Sequence, residues 1–270
     1  MLSSNEGRGR RLSQAVVACA LLSAMGLIGA QTSPSPPNSS NQAASAQIPA
    51  ATPQTGQSPT APAPPAVQPP PKPLIVIDPA HGGSESGAVL NPVILEKDIT
   101  LALGRRLRSD LGARGFVAEL IRDSDVNLST DDRASKANSA HPALYVCLHA
   151  TSEPAGVGIY TSMLADSGQS KGPFDDWDTA QFPFLPASRL AQQEIAAAIQ
   201  KSGMPVHSLT APLRPLDNLT SPAVAVELAP TKADVSQLTA TDYQESVSAA
   251  LANGIAQVLS QAGSSPGATQ

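Results

Sequence analysis

The chain has 270 residues, a formal net charge of −5 and only 3% aromatic residues. A mildly acidic balance without a basic stripe argues against nucleic acid as the main partner. The length admits one or two domains, yet composition divides the chain sharply.

Residues 1–12 carry Arg8, Arg10 and Arg11, and an uncharged apolar stretch from Ala15 to Ala30 follows, ending in Ile28-Gly29-Ala30. This is the n-region, h-region and small-residue cleavage pattern of a secretory signal. Sixteen residues fall short of the roughly 20 that span a bilayer, so residues 1–30 are expected to direct export, with retention as an uncleaved anchor as the competing outcome. Cys19 lies too close to Arg11 to suggest a lipoprotein signal. No other membrane association is expected. From Gln31 to Pro73 the chain is Pro, Ala, Ser, Gln and Thr and holds half of the 26 prolines. Such a segment cannot offset the entropy of ordering and is expected to be an extended disordered linker, either a tether or a plain spacer.

Beyond it, strand-like runs are expected at Leu74–Asp78, Phe116–Ile121, Ala143–His149, Val157–Met163 and Ala223–Leu228, alternating with helix-like stretches. That alternation predicts a single α/β domain over residues 74–262, with a mainly parallel, mixed sheet flanked by helices on both faces. With Cys147 as the one cysteine past the signal, no internal disulfide is available, and roughly 190 residues suffice for a hydrophobic core. A helix opening at Glu96 has Ile99, Leu103, Leu107 and Leu111 on its apolar side and Arg105, Arg106 and Arg108 opposite. Phe174, Trp177, Phe182 and Phe184 cluster between Leu164 and Pro186, as a lid, a sugar platform or a stapled loop. A final helix with Thr241 and Gln244 in a capping-box pattern turns Val247, Leu251, Ile255, Val258 and Leu259 to the core. Residues 263–270 are expected to be a disordered tail.

Ligands of such sheets collect beyond the carboxyl ends of the strands. His81 follows the first run, His149 ends the third and Glu227 lies near the end of the last. Two neutral imidazoles and a carboxylate form a three-ligand zinc set that leaves a position open for water, and a nearby carboxylate can then accept its proton. His81, Glu96 and His149 can be the ligands and Glu227 the base. Taken alone, Glu96 would be a helix N-terminal acid favoured by the dipole, and Glu227 in an apolar strand would need a partner to be buried. Cys147 shares a strand face with His149 and is expected to be packed rather than ligating. His141 is expected at the surface, and His207 is a candidate substrate contact.

The motifs Asp78-Pro79-Ala80-His81-Gly82-Gly83, Glu96-Lys97-Asp98, Ile121-Arg122-Asp123, Leu128 with Arg133 and Ala137-Asn138, Cys147-Leu148-His149-Ala150, Gly156-Val157 and Val224 leading to Glu227 occur in order. Together they resemble the zinc-dependent N-acetylmuramoyl-L-alanine amidases that cleave bacterial peptidoglycan. The resemblance covers roughly residues 74–260. It implies Zn²⁺ on His81, Glu96 and His149, Glu227 as the catalytic acid/base, peptidoglycan as substrate, and action in the periplasm or cell wall. It also raises a protein activator, because some relatives carry a regulatory helix in the region of the aromatic loop, though this loop is short and proline-broken for that role. Ala80 stands where the family has glycine, which matters where the backbone needs positive φ. Thr151 and Ala229-Pro230-Thr231 also depart from the pattern. Arg122, Asp123 and Arg133 are expected to be scaffold, paired with each other or with loop carbonyls. The rival readings are a catalytically idle peptidoglycan-binding or regulatory module with the same fold, and a zinc hydrolase acting on a different amide.

Overall fold

The structure, a computed structural model, describes residues 72–164 and 179–264. The signal and most of the linker lie outside the described residues, as do Phe174, Trp177 and the last six residues of the tail. Eight strands and four α-helices follow in the order β1 Leu74–Pro79, β2 Val89–Asn91, β3 Ile94–Leu95, α1 Glu96–Ala113, β4 Val117–Leu120, α2 Thr130–Ala140, β5 Leu144–Ala150, β6 Val157–Ser162, α3 Leu185–Lys201, β7 Val206–Ala211, β8 Ala223–Leu228 and α4 Thr241–Ser264. Among these residues no helix is long and apolar enough to cross a membrane.

The six-stranded sheet runs β4-β1-β5-β8-β6-β7. All its pairings are parallel except β6 with β8. Parallel strands covered on both faces read as continuous apolar runs, and β1, β5 and β8 do so because alternate residues serve two separate cores. Ile75, Ile77, Val146, Leu148, Val224 and Val226 pack with Leu103 and Leu107 of α1, Ile195 of α3 and Leu251 and Ile255 of α4. Val76, Tyr145, Cys147, Ala223 and Ala225 face the other side, under Ala134 and Ala137 of α2 and Leu216 and Leu219. Each fully buried aliphatic side chain contributes about 1.5–3 kcal/mol. The expected architecture is present, with unequal cover: three helices on one face and α2 with a short 3-10 turn at Leu216–Asn218 on the other.

Several elements differ from expectation. β7 is an additional edge strand, and its Val-His-Ser-Leu-Thr-Ala sequence is half-exposed throughout. The short β2–β3 hairpin precedes α1, its turn held by the Asn91 side chain, which accepts from Val93 N at 2.9 Å and Ile94 N at 2.8 Å. Gln244 reaches past Thr241 to donate to Leu238 O at 3.0 Å, tying α4 to the preceding 3-10 turn instead of completing a box at Thr241. The apolar side of α4 is core-facing as expected.

Candidate metal centre

Because β1, β5 and β8 run parallel, their carboxyl ends meet at one end of the sheet. Within the loop after β1, His81 has φ 62°, followed by Gly82 at 135° and Gly83 at 61°. The left-handed strain therefore falls on His81 itself and not on Ala80, which is buried and donates its N–H to Leu148 O at 3.1 Å. An alanine at position 80 is compatible with this backbone.

Two guanidinium groups hold that loop. Arg122 donates to Pro79 O at 2.8 Å, Ala80 O at 3.0 Å and Lys97 O at 2.8 Å. Arg133 donates to Pro79 O at 2.9 Å and His81 O at 2.7 Å, and forms a buried ion pair with Asp78, which also accepts from the Tyr145 hydroxyl. Lys97 bridges Gly83 O at 2.9 Å and Asp125 at 2.7 Å. The expectation of carbonyl-binding arginines holds, but Asp123 does not pair with either of them. It pairs instead with Arg105 and Arg108 on α1, each at 2.9 Å, because the chain turns outward after Arg122.

Glu96 opens α1 and is buried. Its carboxylate accepts from Ala88 N at 2.8 Å and Ala150 N at 3.1 Å, so both flanking loops close around it. Lacking a capping side chain, the helix satisfies its first N–H groups on loop carbonyls, Glu96 N on Ala88 O at 3.0 Å and Lys97 N on Ser86 O at 3.2 Å. His81 Nε2 lies 3.1 Å from Glu96 Oε2, and His149 Nδ1 lies 2.9 Å from Glu96 Oε1. Donor atoms of the three residues all fall within 4.8 Å of one another, the spacing of a group able to hold a metal ion.

Glu227 is the register partner of His149 on the adjacent strand, so the two side chains share a face. The Tyr160 hydroxyl on β6 donates to Glu227 Oε2 at 2.7 Å. Two clefts meet at His149. One, of about 220 Å³, is lined by His81, Glu85, Asn127, Arg133 and Arg214 among others. The second, of about 180 Å³, is lined by Tyr160, Leu213, Ala225 and Glu227.

Burial alone would push the Glu96 carboxyl up; hydrogen bonds from His149, His81 and Ala88 N outweigh it and hold the group far below the usual carboxylate range. Burial would push both imidazoles down, yet Glu96 and Glu85 raise His81, and Cys147 and Glu96 raise His149. A carboxylate between two imidazoles favours positive charge at this point, which a bound dication can supply.

Cys147 is packed as expected, its thiol pushed up by burial, with Sγ 3.4 Å from His149 Nε2. His141 is exposed at the end of α2, and His207 stacks edge-on against Tyr160 with centroids 6.4 Å apart. Sequence reasoning missed Glu85, Gly87 and Tyr160. A Cβ at Gly87 would lie 2.5 Å from His81 Cδ2 and 2.6 Å from Glu96 Oε2, so only glycine leaves room for the pair. The one available signal was the position of Gly87 between the His81 and Glu96 motifs.

The chain is similar to known proteins in sequence and in fold. The family profile described as N-acetylmuramoyl-L-alanine amidase matches residues 75–257. The endolysin of Bacillus phage SPP1 is 33% identical over 190 residues, covering 69% of this chain and 66% of the endolysin. LytC, an N-acetylmuramoyl-L-alanine amidase of Bacillus subtilis, is 36% identical over 101 residues, covering 36% of this chain but only 20% of LytC. Among solved structures, the amidase AmiC2 of Nostoc punctiforme is 25% identical, covering 69% of this chain and 97% of that one, with a TM-score of 0.55. The catalytic domain of CwlV from Bacillus (Paenibacillus) polymyxa shares the fold at 22% identity, over 69% of this chain and 98% of that one, with a TM-score of 0.55. Through residues 75–257, this chain belongs to the N-acetylmuramoyl-L-alanine amidase family.

Proposed function

We propose that the chain is an exported, zinc-dependent N-acetylmuramoyl-L-alanine amidase that hydrolyses the amide between the N-acetylmuramic acid lactyl group and L-alanine in peptidoglycan, acting in the periplasm or cell wall. The observation that carries this reading is the convergence of His81, Glu96 and His149 at a cleft, with Glu227 beside His149 on the next strand. The donor set fits zinc: two imidazole nitrogens and one carboxylate oxygen, with Gly87 leaving the space between His81 and Glu96 free of a side chain. Export rests on the N-terminal signal pattern and on the peptidoglycan substrate that the family resemblance implies.

His81, Glu96 and His149 would hold the zinc, which when bound would supply a Lewis acid for the scissile carbonyl and lower the pKa of water towards about 7. Glu227 takes the proton of the attacking water and returns it to the leaving amine. Tyr160 occupies one carboxylate oxygen of Glu227 and so orients the other for that transfer. Arg122 and Arg133 fix the backbone that aims His81 into the cleft.

Purified peptidoglycan digested by the full chain with zinc, beside Glu227→Gln, tests the reading. Release of free stem peptides beginning at L-alanine, absent with the variant, is expected by mass analysis. A folded, zinc-loaded protein that releases nothing points instead to an idle wall-binding module, and different fragments point to another amide.

A further inference from the structure

The far nitrogen of each candidate histidine ligand has a partner, and the two partners differ in kind. His149 Nε2 meets the Cys147 sulfur at 3.4 Å, a weak interaction. His81 Nδ1 meets the Glu85 carboxylate at 2.6 Å, a short contact of the charge-assisted kind. Glu85 is set there by the backbone: Gly82 N donates to Glu85 O at 2.8 Å and Glu85 N donates to Gly82 O at 3.1 Å, closing a tight loop that returns the chain to His81.

A carboxylate accepts only, so the neutral His81 ring must carry its proton on Nδ1, which leaves Nε2 as the bare lone pair. Nε2 is the atom facing Glu96. We propose that Glu85 is a positioning residue of the metal centre, selecting the His81 tautomer and ring orientation that present Nε2 to the metal, and thereby setting metal affinity. Its role matters more at His81 than a partner would at His149, because His81 sits on left-handed backbone in a loop while His149 is fixed by a central strand. Outer-shell partners of this type are worth about 10–100-fold in metal affinity. The inference rests on the metal reading of His81, Glu96 and His149.

The Glu85 side chain is 56% exposed, so its replacement removes no core packing. Zinc affinity of the full chain, wild type, Glu85→Gln, Glu85→Asp and His149→Ala, is measured by competition with a chromogenic chelator at fixed pH, with circular dichroism of the metal-free proteins as the folding control. Glu85→Gln is expected to bind zinc about 10–100-fold more weakly with unchanged dichroism, and Glu85→Asp to recover part of the loss. Binding of Glu85→Gln within twofold of wild type overturns the proposal. If wild type and His149→Ala bind zinc equally, the metal reading itself fails, an outcome separate from the failure of Glu85.

Discussion

The Tyr160 hydroxyl donates to Glu227 Oε2 at 2.7 Å, joining two neighbouring antiparallel strands at the edge of the cleft. Burial first, then Glu227, pushes the phenol up to about 12, so Tyr160 remains a donor at any working pH. Gly158 makes the contact possible, since a Cβ there would lie 2.7 Å from Tyr160 Cε2 and 3.0 Å from His207 Nε2. A hydrogen bond to a charged group is worth about 1.5–3 kcal/mol. Tyr160→Phe keeps the ring and removes only this donor, so kcat on peptidoglycan fragments should fall about 10–100-fold while KM and zinc stoichiometry stay unchanged. An unaltered kcat would remove Tyr160 from the catalytic arrangement.

Gly87 is a sharper test of how closely the candidate ligands are packed. The backbone there has φ 66°, and an added methyl group would meet both His81 and Glu96 inside van der Waals contact. Gly87→Ala should therefore separate the two donors and weaken zinc binding by about 100-fold or more, beyond the loss of an outer-shell partner. Far-ultraviolet dichroism should be unchanged, because the sheet core lies elsewhere. Retained affinity, measured by chelator competition, would show that the loop can rearrange around a side chain.

The candidate site was legible in sequence where chemistry depends on residue type at the end of an apolar run. His81, His149 and Glu227 each stand at or just beyond the end of such a run, and the run itself announces the strand. Contacts that depend on three-dimensional pairing were not legible. Asp78 meets Arg133 across 55 residues, and neither local pattern names the other. Tyr160 reaches Glu227 only because β6 runs antiparallel to β8, a choice that the alternation within each strand does not encode. β7 escaped because an edge strand with half-exposed residues has no buried face to impose a period.

The Asp78–Arg133 pair should dominate the mutational sensitivity of the site loop. Both side chains are buried, and Arg133 also holds the carbonyls of Pro79 and His81. Removing one member leaves a buried charge without its counterion, which costs about 3–5 kcal/mol. Arg133→Met should lower unfolding free energy by that amount in urea titrations, and zinc affinity should fall with it because His81 O loses its anchor. Arg105→Met, which breaks an exposed pair with Asp123, should change stability by no more than about 1 kcal/mol. Equal effects of the two substitutions would show that the buried pair contributes nothing special.

Stability of the metal-free protein should depend on pH through the same cluster. His81 and His149 are raised above the ordinary 6.5, so their contribution is fully present below that value and is lost as pH rises through their folded values. Glu96 is lowered from 4.5, so its contribution is present above 4.5 and is lost as pH falls through its depressed value. The metal-free protein should therefore gain least from this cluster at alkaline pH and under strong acid. Zinc should reverse the alkaline trend, because a metal taken up by these imidazoles competes with their protons and its affinity then rises with pH. Thermal melting over a pH series from mildly acid to alkaline, with chelator and with zinc, should give curves that diverge as pH increases. Parallel curves would mean that protons and metal do not compete at His81 and His149.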